Sequence, residues 1–304
     1  MDSGHTAWML TASALVFFMT PGLAFFYGGL VRAKSLVNTI MLSFMTIGVV
    51  SIVWTLWGYS LAYGNGELIE NFIGDFSLLG LDGVAMMSGE EDAISPLYDV
   101  LFQMMFAIIT PALITGAFVE RFKFSTYLIF TVIWITVVYA PVAHWVWGGG
   151  WIGDAGALDF AGGTVIHINA GAAAVAAALL VGKRANPGLQ PNNVPFVVLG
   201  ASILWFGWFG FNGGSALAAD DFAVNAMLVT QIAAGTAATT WGLIGLFATK
   251  KISAVGVATG AVAGLVAITP AAGAVNALGA IAIGLGAGSI CYLAVELIHR
   301  TSLD

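Results

Sequence analysis

Apolar residues along the chain form nine long runs that are separated by short polar gaps. Each run approaches the roughly 20 residues that a helix needs to cross a hydrocarbon core about 30 Å thick. The runs are continuous rather than alternating in short segments of about 10 residues, which argues against a membrane β-barrel. The pattern predicts an all-α, polytopic helical bundle with spans at roughly 6–31, 37–62, 98–119, 124–147, 161–182, 195–217, 223–249, 252–270 and 274–298.

Basic residues divide the gaps into two sets. All nine Lys and Arg residues fall in every second gap: Arg32, Lys34, Arg121, Lys123, Lys183, Arg184, Lys250, Lys251 and Arg300. Because cytoplasmic loops are enriched in Lys and Arg, this alternation predicts a cell-membrane protein with its N-terminus outside and residue 304 inside. The N-terminus carries no basic stretch before its first apolar run, so the first span is predicted to be retained rather than cleaved.

Acidic residues lie mainly in the other set of gaps. Asp154, Asp159, Asp220 and Asp221 belong to it, and the gap 63–97 holds Glu67, Glu70, Asp75, Asp82, Glu90, Glu91 and Asp92. An acidic outer face attracts cations. A solvated loop without positive charge would look the same, and we favour that interpretation for residues 63–97.

Composition agrees with a membrane protein. Only 8% of the 304 residues are charged, whereas soluble domains carry about 25%. With a net charge of -7 and no basic patch, nucleic acid is not expected as a partner. The single cysteine, Cys291, excludes an internal disulfide and a multi-cysteine metal site, and no cofactor is predicted. The 39 glycines and other small residues predict close helix packing within one membrane domain.

Ionisable residues inside a membrane span are costly and point to function. No Lys, Arg, Asp or Glu is assigned to the middle of a span, which argues against a retinal protein, a carboxylate-driven proton pump and a voltage sensor. No convincing nucleophile–base or paired-carboxylate constellation is evident, which argues against an intramembrane protease. The chain is not expected to be an enzyme. His167 is predicted to lie about 12 Å from the outer end of its span. A packing role is possible for it, but the cost of a polar ring in lipid favours a pore.

Five segments resemble the Amt/Mep/Rh ammonium transporter family. They are AHWVWGGGWIGDAGALDFAGGTVIHINAG, FMTPGLAFFYGGLVRAKS, FQMMFAIITPALITGAFVERFKF, LWFGWFGFNGGSALAAD and ATGAVAGLVAITPAAG. The resemblance implies a homotrimer that passes ammonium or ammonia, and possibly methylammonium, through a narrow apolar pore in each subunit. It also implies eleven helices with an inverted repeat, and a PII-type cytoplasmic regulator as a possible partner. The alternative function is an ammonium sensor that uses the same site.

The resemblance assigns the outer part of the pore. Trp147, Phe106 and Ser215 are implied to recruit the cation, and Phe106 and Phe211 to form a stacked aromatic gate below it. Each residue also has a structural interpretation. Trp147 could be an interfacial anchor, the two phenylalanines could be packing residues, and Ser215 could bond a neighbouring helix.

The resemblance assigns the deeper pore as well. His167 is implied to be the first of two pore histidines, and Trp208 and Thr269 to line the pore or support it. Asp159 resembles the acid that the family requires near the recruitment site. From the sequence we expect its main role to be capping the start of the fifth helix.

One feature of the family is missing from the sequence. The second pore histidine belongs to a GVHG motif in helix 10, and the chain ends at ELIHRTSLD where that helix should begin. His299 is no substitute, because it adjoins Arg300 at the end of the ninth span. The sequence therefore predicts that residues 1–304 form a single ammonium-transporter domain that is incomplete at its C-terminus and that conducts poorly alone.

Overall fold

The computed structural model describes residues 3–84, 96–184 and 190–301. Within these residues nine helices are long and apolar enough to cross a membrane. This arrangement confirms the predicted all-α, multi-pass membrane fold. The helices are α1 (Ser3–Leu30), α2 (Ala33–Tyr63), α3 (Pro96–Phe118), α4 (Phe124–Asp154), α5 (Gly163–Val181), α6 (Val194–Gly214), α7 (Asp221–Thr249), α8 (Ala254–Ala271) and α9 (Ala277–Ile298).

Most helix ends lie within a few residues of the predicted bounds, and two of the ends that differ lie near the candidate site. Helix α4 continues past residue 147: it breaks at Gly148–Gly150 and resumes as the turn Trp151–Asp154. Helix α6 ends at Gly214, so Ser215 follows the helix as its C-terminal cap. A glycine accounts for the break in α4, because Gly149 has a positive φ of 92°, a backbone angle that other residues avoid.

The gap after α2 contains more structure than a solvated loop. Strands β1 (Glu67–Ile69) and β2 (Ile73–Gly74) form an antiparallel hairpin. The indole of Trp145 donates to the carbonyl of Phe72 over 2.8 Å, which ties the hairpin to α4. Buried His144 lies 3.0 Å from the carbonyl of Ala62 and 3.2 Å from the Glu67 carboxylate. This part of the gap is therefore packed, while Glu90, Glu91 and Asp92 lie outside the described residues.

Glycines allow the helices to approach closely, as the small-residue pattern predicts. Helix α1 packs most extensively on α6. A Cβ atom added to Gly200 would lie 2.3 Å from the backbone nitrogen of Phe26, so no larger residue fits there. Helix α7 is approached in the same way from two sides, because a Cβ atom on Gly264 of α8 or Gly284 of α9 would lie 2.6 Å from the carbonyl oxygen of Ala233.

An ion pair joins the gap after α1 to the gap after α3. Both gaps contain Lys and Arg residues and lie at the same end of the bundle, and we call this end the basic end. Arg32 donates through Nε to Glu120 Oε1 at 2.9 Å and through Nη2 to Oε2. Ser35 also donates to this carboxylate at 2.7 Å. The Glu120 side chain is only 6% exposed. The hydrogen bond from Arg32 is the largest cause that lowers the pKa of Glu120 to about 2. The opposite end, which carries the hairpin and Asp154, is the acidic end.

We predict that Glu120→Gln lowers the apparent unfolding temperature at neutral pH by about 2–4 °C, a shift that corresponds to about 1 kcal/mol. The pKa of Glu120 is lower in the folded protein than its ordinary value of 4.5. Its stabilisation is therefore complete above that pH and is lost as the pH falls toward 2. Thermal unfolding in detergent across this range should show the two proteins converging at acidic pH.

Glu70→Gln is the matched control for this experiment, because Glu70 is exposed at the acidic end. Its unfolding temperature should follow that of the wild type throughout. A gap between wild type and Glu120→Gln that stays constant at acidic pH would contradict the assigned ion pair.

Candidate functional site

A cavity of about 370 Å³ opens at the acidic end of the bundle. It brings together the three residues predicted to recruit a cation: Phe106 from α3, Trp147 from α4 and Ser215 from the end of α6. Asp159 lines it as well. Four separate segments of the sequence thus meet around one space, which we call the outer cavity.

Hydrogen bonds fix the orientation of Trp147 and Ser215. The Trp147 indole donates to the backbone carbonyl of Asp159 over 2.9 Å. The Ser215 hydroxyl donates to the carbonyl of Phe211 over 2.8 Å. Since each hydroxyl has one proton and two lone pairs, this bond leaves the Ser215 oxygen able to accept a hydrogen bond from a donor in the cavity.

The Asp159 carboxylate organises the start of α5. Its Oδ1 atom accepts hydrogen bonds from the backbone of Gly162 and Gly163, at 3.0 and 2.5 Å. Its Oδ2 atom accepts from Thr164 and Val165, at 2.8 and 3.2 Å. Backbone N–H groups at a helix start have no partners inside the helix. The carboxylate satisfies four of them, as the capping role predicted for Asp159 requires.

Phe106 and Phe211 close the bottom of the outer cavity. Their ring centroids are 4.4 Å apart, and both side chains are 1% exposed. The planes meet at 64°, so the edge of one ring faces the other ring. The predicted contact is present, but the rings are not stacked in parallel. Offset and edge-to-face contacts are preferred because the ring edge is positive and the ring face is negative.

His167 lies directly below this pair, in a π-helical turn (Gly163–Ile168) that begins α5. Its ring stacks on Phe211 with centroids 5.7 Å apart, and on Trp208 with centroids 5.4 Å apart. The Nε2 atom is buried and has no hydrogen-bond partner among the described residues. Such π-helical turns are frequent at functional sites, and this one presents an imidazole on an otherwise apolar route.

A lower cavity of about 50 Å³ follows the aromatic pair. His167, Trp208 and Phe211 line it, together with aliphatic residues, and it reaches Tyr27 near the end of α1. Thr269 does not line this cavity but supports it: its hydroxyl accepts a hydrogen bond from the Trp208 indole at 2.8 Å. The aromatic rings therefore form a continuous series from the outer cavity to the lower one.

The family model for the Ammonium Transporter Family matches residues 7–304. The chain belongs to the ammonium transporter family. It is 53% identical to an ammonium transporter of Aquifex aeolicus, over 98% of this chain and 70% of the relative. It is 48% identical to the ammonium transporter Amt1 of Archaeoglobus fulgidus, over the whole of this chain and 76% of the relative.

Solved structures agree with this membership of the ammonium transporter family. Candida albicans Mep2 superposes with a TM-score of 0.93 at 39% identity, covering 100% of this chain and 68% of Mep2. A structure described as a sensor Amt protein superposes with a TM-score of 0.90 at 31% identity, covering 98% of this chain and 75% of that protein.

The outer cavity of this ammonium transporter family member also has a wall that the sequence did not reveal. Tyr63, Asp99, Phe102 and Gln103 line it beside the predicted residues. Asp99 lies in the first turn of α3, at the edge of the predicted span. The sequence does show a carboxylate at the start of an apolar run. It did not point to the cavity, because a charged residue at the boundary of a span is expected in any membrane protein.

We predict that Asp159→Ala lowers the free energy of unfolding by about 2–4 kcal/mol, because several helix-start N–H groups lose their acceptor. Asp159→Asn should cost less, since one acceptor oxygen remains. Asp154→Ala is the matched control, because Asp154 is an exposed acid at the same end. The measurement is unfolding in detergent followed by tryptophan fluorescence. Equal stability of Asp159→Ala and Asp154→Ala would refute the capping role.

Proposed function

We propose that the chain moves ammonium or ammonia across the cell membrane, entering from the acidic end and leaving at the basic end. The observation that supports this most strongly is the order of the groups along one line. An outer cavity with aromatic and hydroxyl groups is followed by a pair of phenylalanines, and then by an apolar cavity that contains one imidazole.

Recruitment takes place at Trp147, Phe106 and Ser215. An aromatic face attracts a desolvating cation by up to about 2 kcal/mol, and the Ser215 oxygen accepts one N–H. Potassium has a similar size and the same charge as ammonium, but it has no protons to donate. Directional hydrogen bonding therefore favours ammonium over potassium at this site.

Passage depends on the closed ring pair and on the apolar space beyond it. A charged group pays a large cost in a low-dielectric environment, so burial favours the neutral form of an amine. Neutral ammonia is thus the form that crosses below Phe106 and Phe211. His167 then serves as a neutral imidazole that can donate from one nitrogen and accept at the other.

The assembly and partners are part of the same proposal. Large apolar side chains are exposed on the outer surface of the bundle, including Leu180 at 88% exposure and Leu278 at 75%. Such surfaces fit a lipid bilayer and the subunit contacts of a homotrimer.

Methylammonium is proposed as a second substrate, and a PII-type protein as a regulator at the basic end. The chain is proposed to act as a transport protein and not as an enzyme.

Ammonium sensing is the second candidate function. The likeness to the sensor Amt structure supports it, since a sensor can use the same outer cavity. Transport is favoured because the relatives named ammonium transporters have higher identity, 53% against 31%.

We predict that the acidic end faces outward. An impermeant maleimide should label Glu70→Cys in intact cells, and Lys183→Cys only after permeabilisation, with both variants in a Cys291→Ala background. The expectation rests on the alternation of basic gaps. Labelling of both positions in intact cells would overturn the orientation.

We predict that Trp147→Leu raises the methylammonium concentration for half-maximal uptake about 3- to 30-fold, because one cation–π partner is lost. Trp151→Leu is the matched control, since Trp151 is 46% exposed at the same end and lies outside the cavity lining. Uptake is measured in vesicles with the chain alone and with helices 10 and 11 of a family member fused after residue 304. The fusion supplies the second histidine that the family resemblance places there.

Folding and trimer formation are measured in the same preparations. Uptake by the fusion that does not exceed that of empty vesicles would refute transport. Unchanged concentration dependence in Trp147→Leu would leave Trp147 as an interfacial anchor.

A further inference from the structure

Asp99 lies in a wall of the outer cavity, apart from the residues assigned to recruitment. The Tyr59 hydroxyl donates to its Oδ2 atom over 3.0 Å, and the Gln103 side-chain amide donates to the same carboxylate. An ionised carboxylate offers about four acceptor positions. Two neutral donors therefore leave it with capacity for a further donor.

No Lys or Arg side chain is placed to neutralise Asp99. All nine basic residues are in the part of the chain that the structure describes, and they belong to gaps at the basic end. A carboxylate held within a membrane bundle is costly unless a positive charge accompanies it. Burial disfavours the ionised form, so besides a proton the group that can neutralise Asp99 is a cation that enters the cavity from solution.

Two further polar oxygens lie in the same wall. The Tyr63 hydroxyl and Gln103 Oε1 are fully buried, and neither has a hydrogen-bond partner among the described residues. Both residues line the outer cavity together with Asp99. Buried polar atoms are nearly always hydrogen-bonded. An N–H donor that reaches either oxygen from the cavity would satisfy it.

Aromatic rings surround this wall as well. The ring of Tyr63 lies 5.2 Å from that of Tyr59, and the ring of Phe102 lies 4.7 Å from that of Phe106. Faces of such rings attract a cation. Phe102 also connects this wall to the aromatic pair at the bottom of the cavity.

We propose that Asp99, Gln103 and Tyr63 form a second binding site for ammonium or a small primary ammonium ion, distinct from the site at Trp147, Phe106 and Ser215. This inference rests on the proposed function and deepens it. The outer cavity of about 370 Å³ has room for two ions, because a water-sized group occupies about 30 Å³. The second site concentrates the cation beside the recruitment site.

Thermal stabilisation by ammonium tests the proposal, because a ligand that binds the folded state raises the unfolding temperature as its concentration rises. Ammonium chloride replaces sodium chloride at constant ionic strength, and the chain is studied in detergent. We expect Asp99→Asn to raise the half-saturating concentration about tenfold and Tyr63→Phe about threefold, as expected for losing a charged and a neutral partner. Glu70→Gln, the exposed acid, should behave as the wild type does.

If Asp99→Asn does not fold, the Tyr63→Phe variant alone tests whether the second site exists. The Tyr63 hydroxyl has no partner among the described residues, so a structural role predicts no weakening of ammonium binding in this variant. Unchanged half-saturation in Tyr63→Phe and in any folded Asp99→Asn protein would overturn the second site. An absence of any ammonium-specific stabilisation in the wild type would overturn it too.

The two proposals fail in different ways. If Trp147→Leu weakens the ammonium response while Asp99→Asn and Tyr63→Phe do not, the second site is wrong and the proposed recruitment site stands. If Asp99→Asn and Tyr63→Phe weaken binding while vesicles with the fused helices take up no methylammonium, the second site stands and transport is wrong.

Discussion

The core of a bilayer contains no water, so every polar group within it needs a partner inside the protein. Helices meet this requirement for the backbone, and most polar side chains meet it through bonds such as Trp208 to Thr269. Tyr63, Gln103 and His167 each keep a buried polar atom without a described partner. Each of the three lines one of the two cavities, whereas Thr20 and Ser43, which also keep a buried oxygen without a described partner, line neither. The combination of an unpaired polar atom with a cavity, rather than the unpaired atom alone, is what distinguishes the proposed route.

Local backbone chemistry positions the deepest of these groups. The positive φ of 98° at Gly162 turns the chain into α5, and a Cβ atom at Gly163 would lie 2.5 Å from Pro270 of α8. The Asp159 carboxylate then holds the first N–H groups of the helix. Together these features set the π-helical turn that places His167 against Phe211. The helix cap and the proposed route therefore share one segment, so the Asp159 carboxylate can affect the route by holding the start of α5.

The nine spans and their alternation could be predicted because bilayer thickness and the cost of charge leave few solutions for such a sequence. Trp147, Phe106 and Ser215 could be brought together only through family resemblance, since spacing along the chain does not determine which helices meet. The hairpin at Glu67–Gly74 and the break in α4 were missed, because local glycine and hydrogen-bond geometry produce them. Asp99 was missed because a residue at a span boundary can face lipid headgroups or a cavity, and tertiary packing decides between the two.

We propose that the closed pair of Phe106 and Phe211 excludes an ion that must remain charged. Comparing tracer rubidium with methylammonium in the same vesicles tests it most directly, because rubidium cannot release a proton to become neutral. We expect saturable methylammonium uptake by the protein with the fused helices, and rubidium uptake equal to that of empty vesicles. Rubidium entry at a rate similar to that of methylammonium, per folded protein, would contradict this proposal.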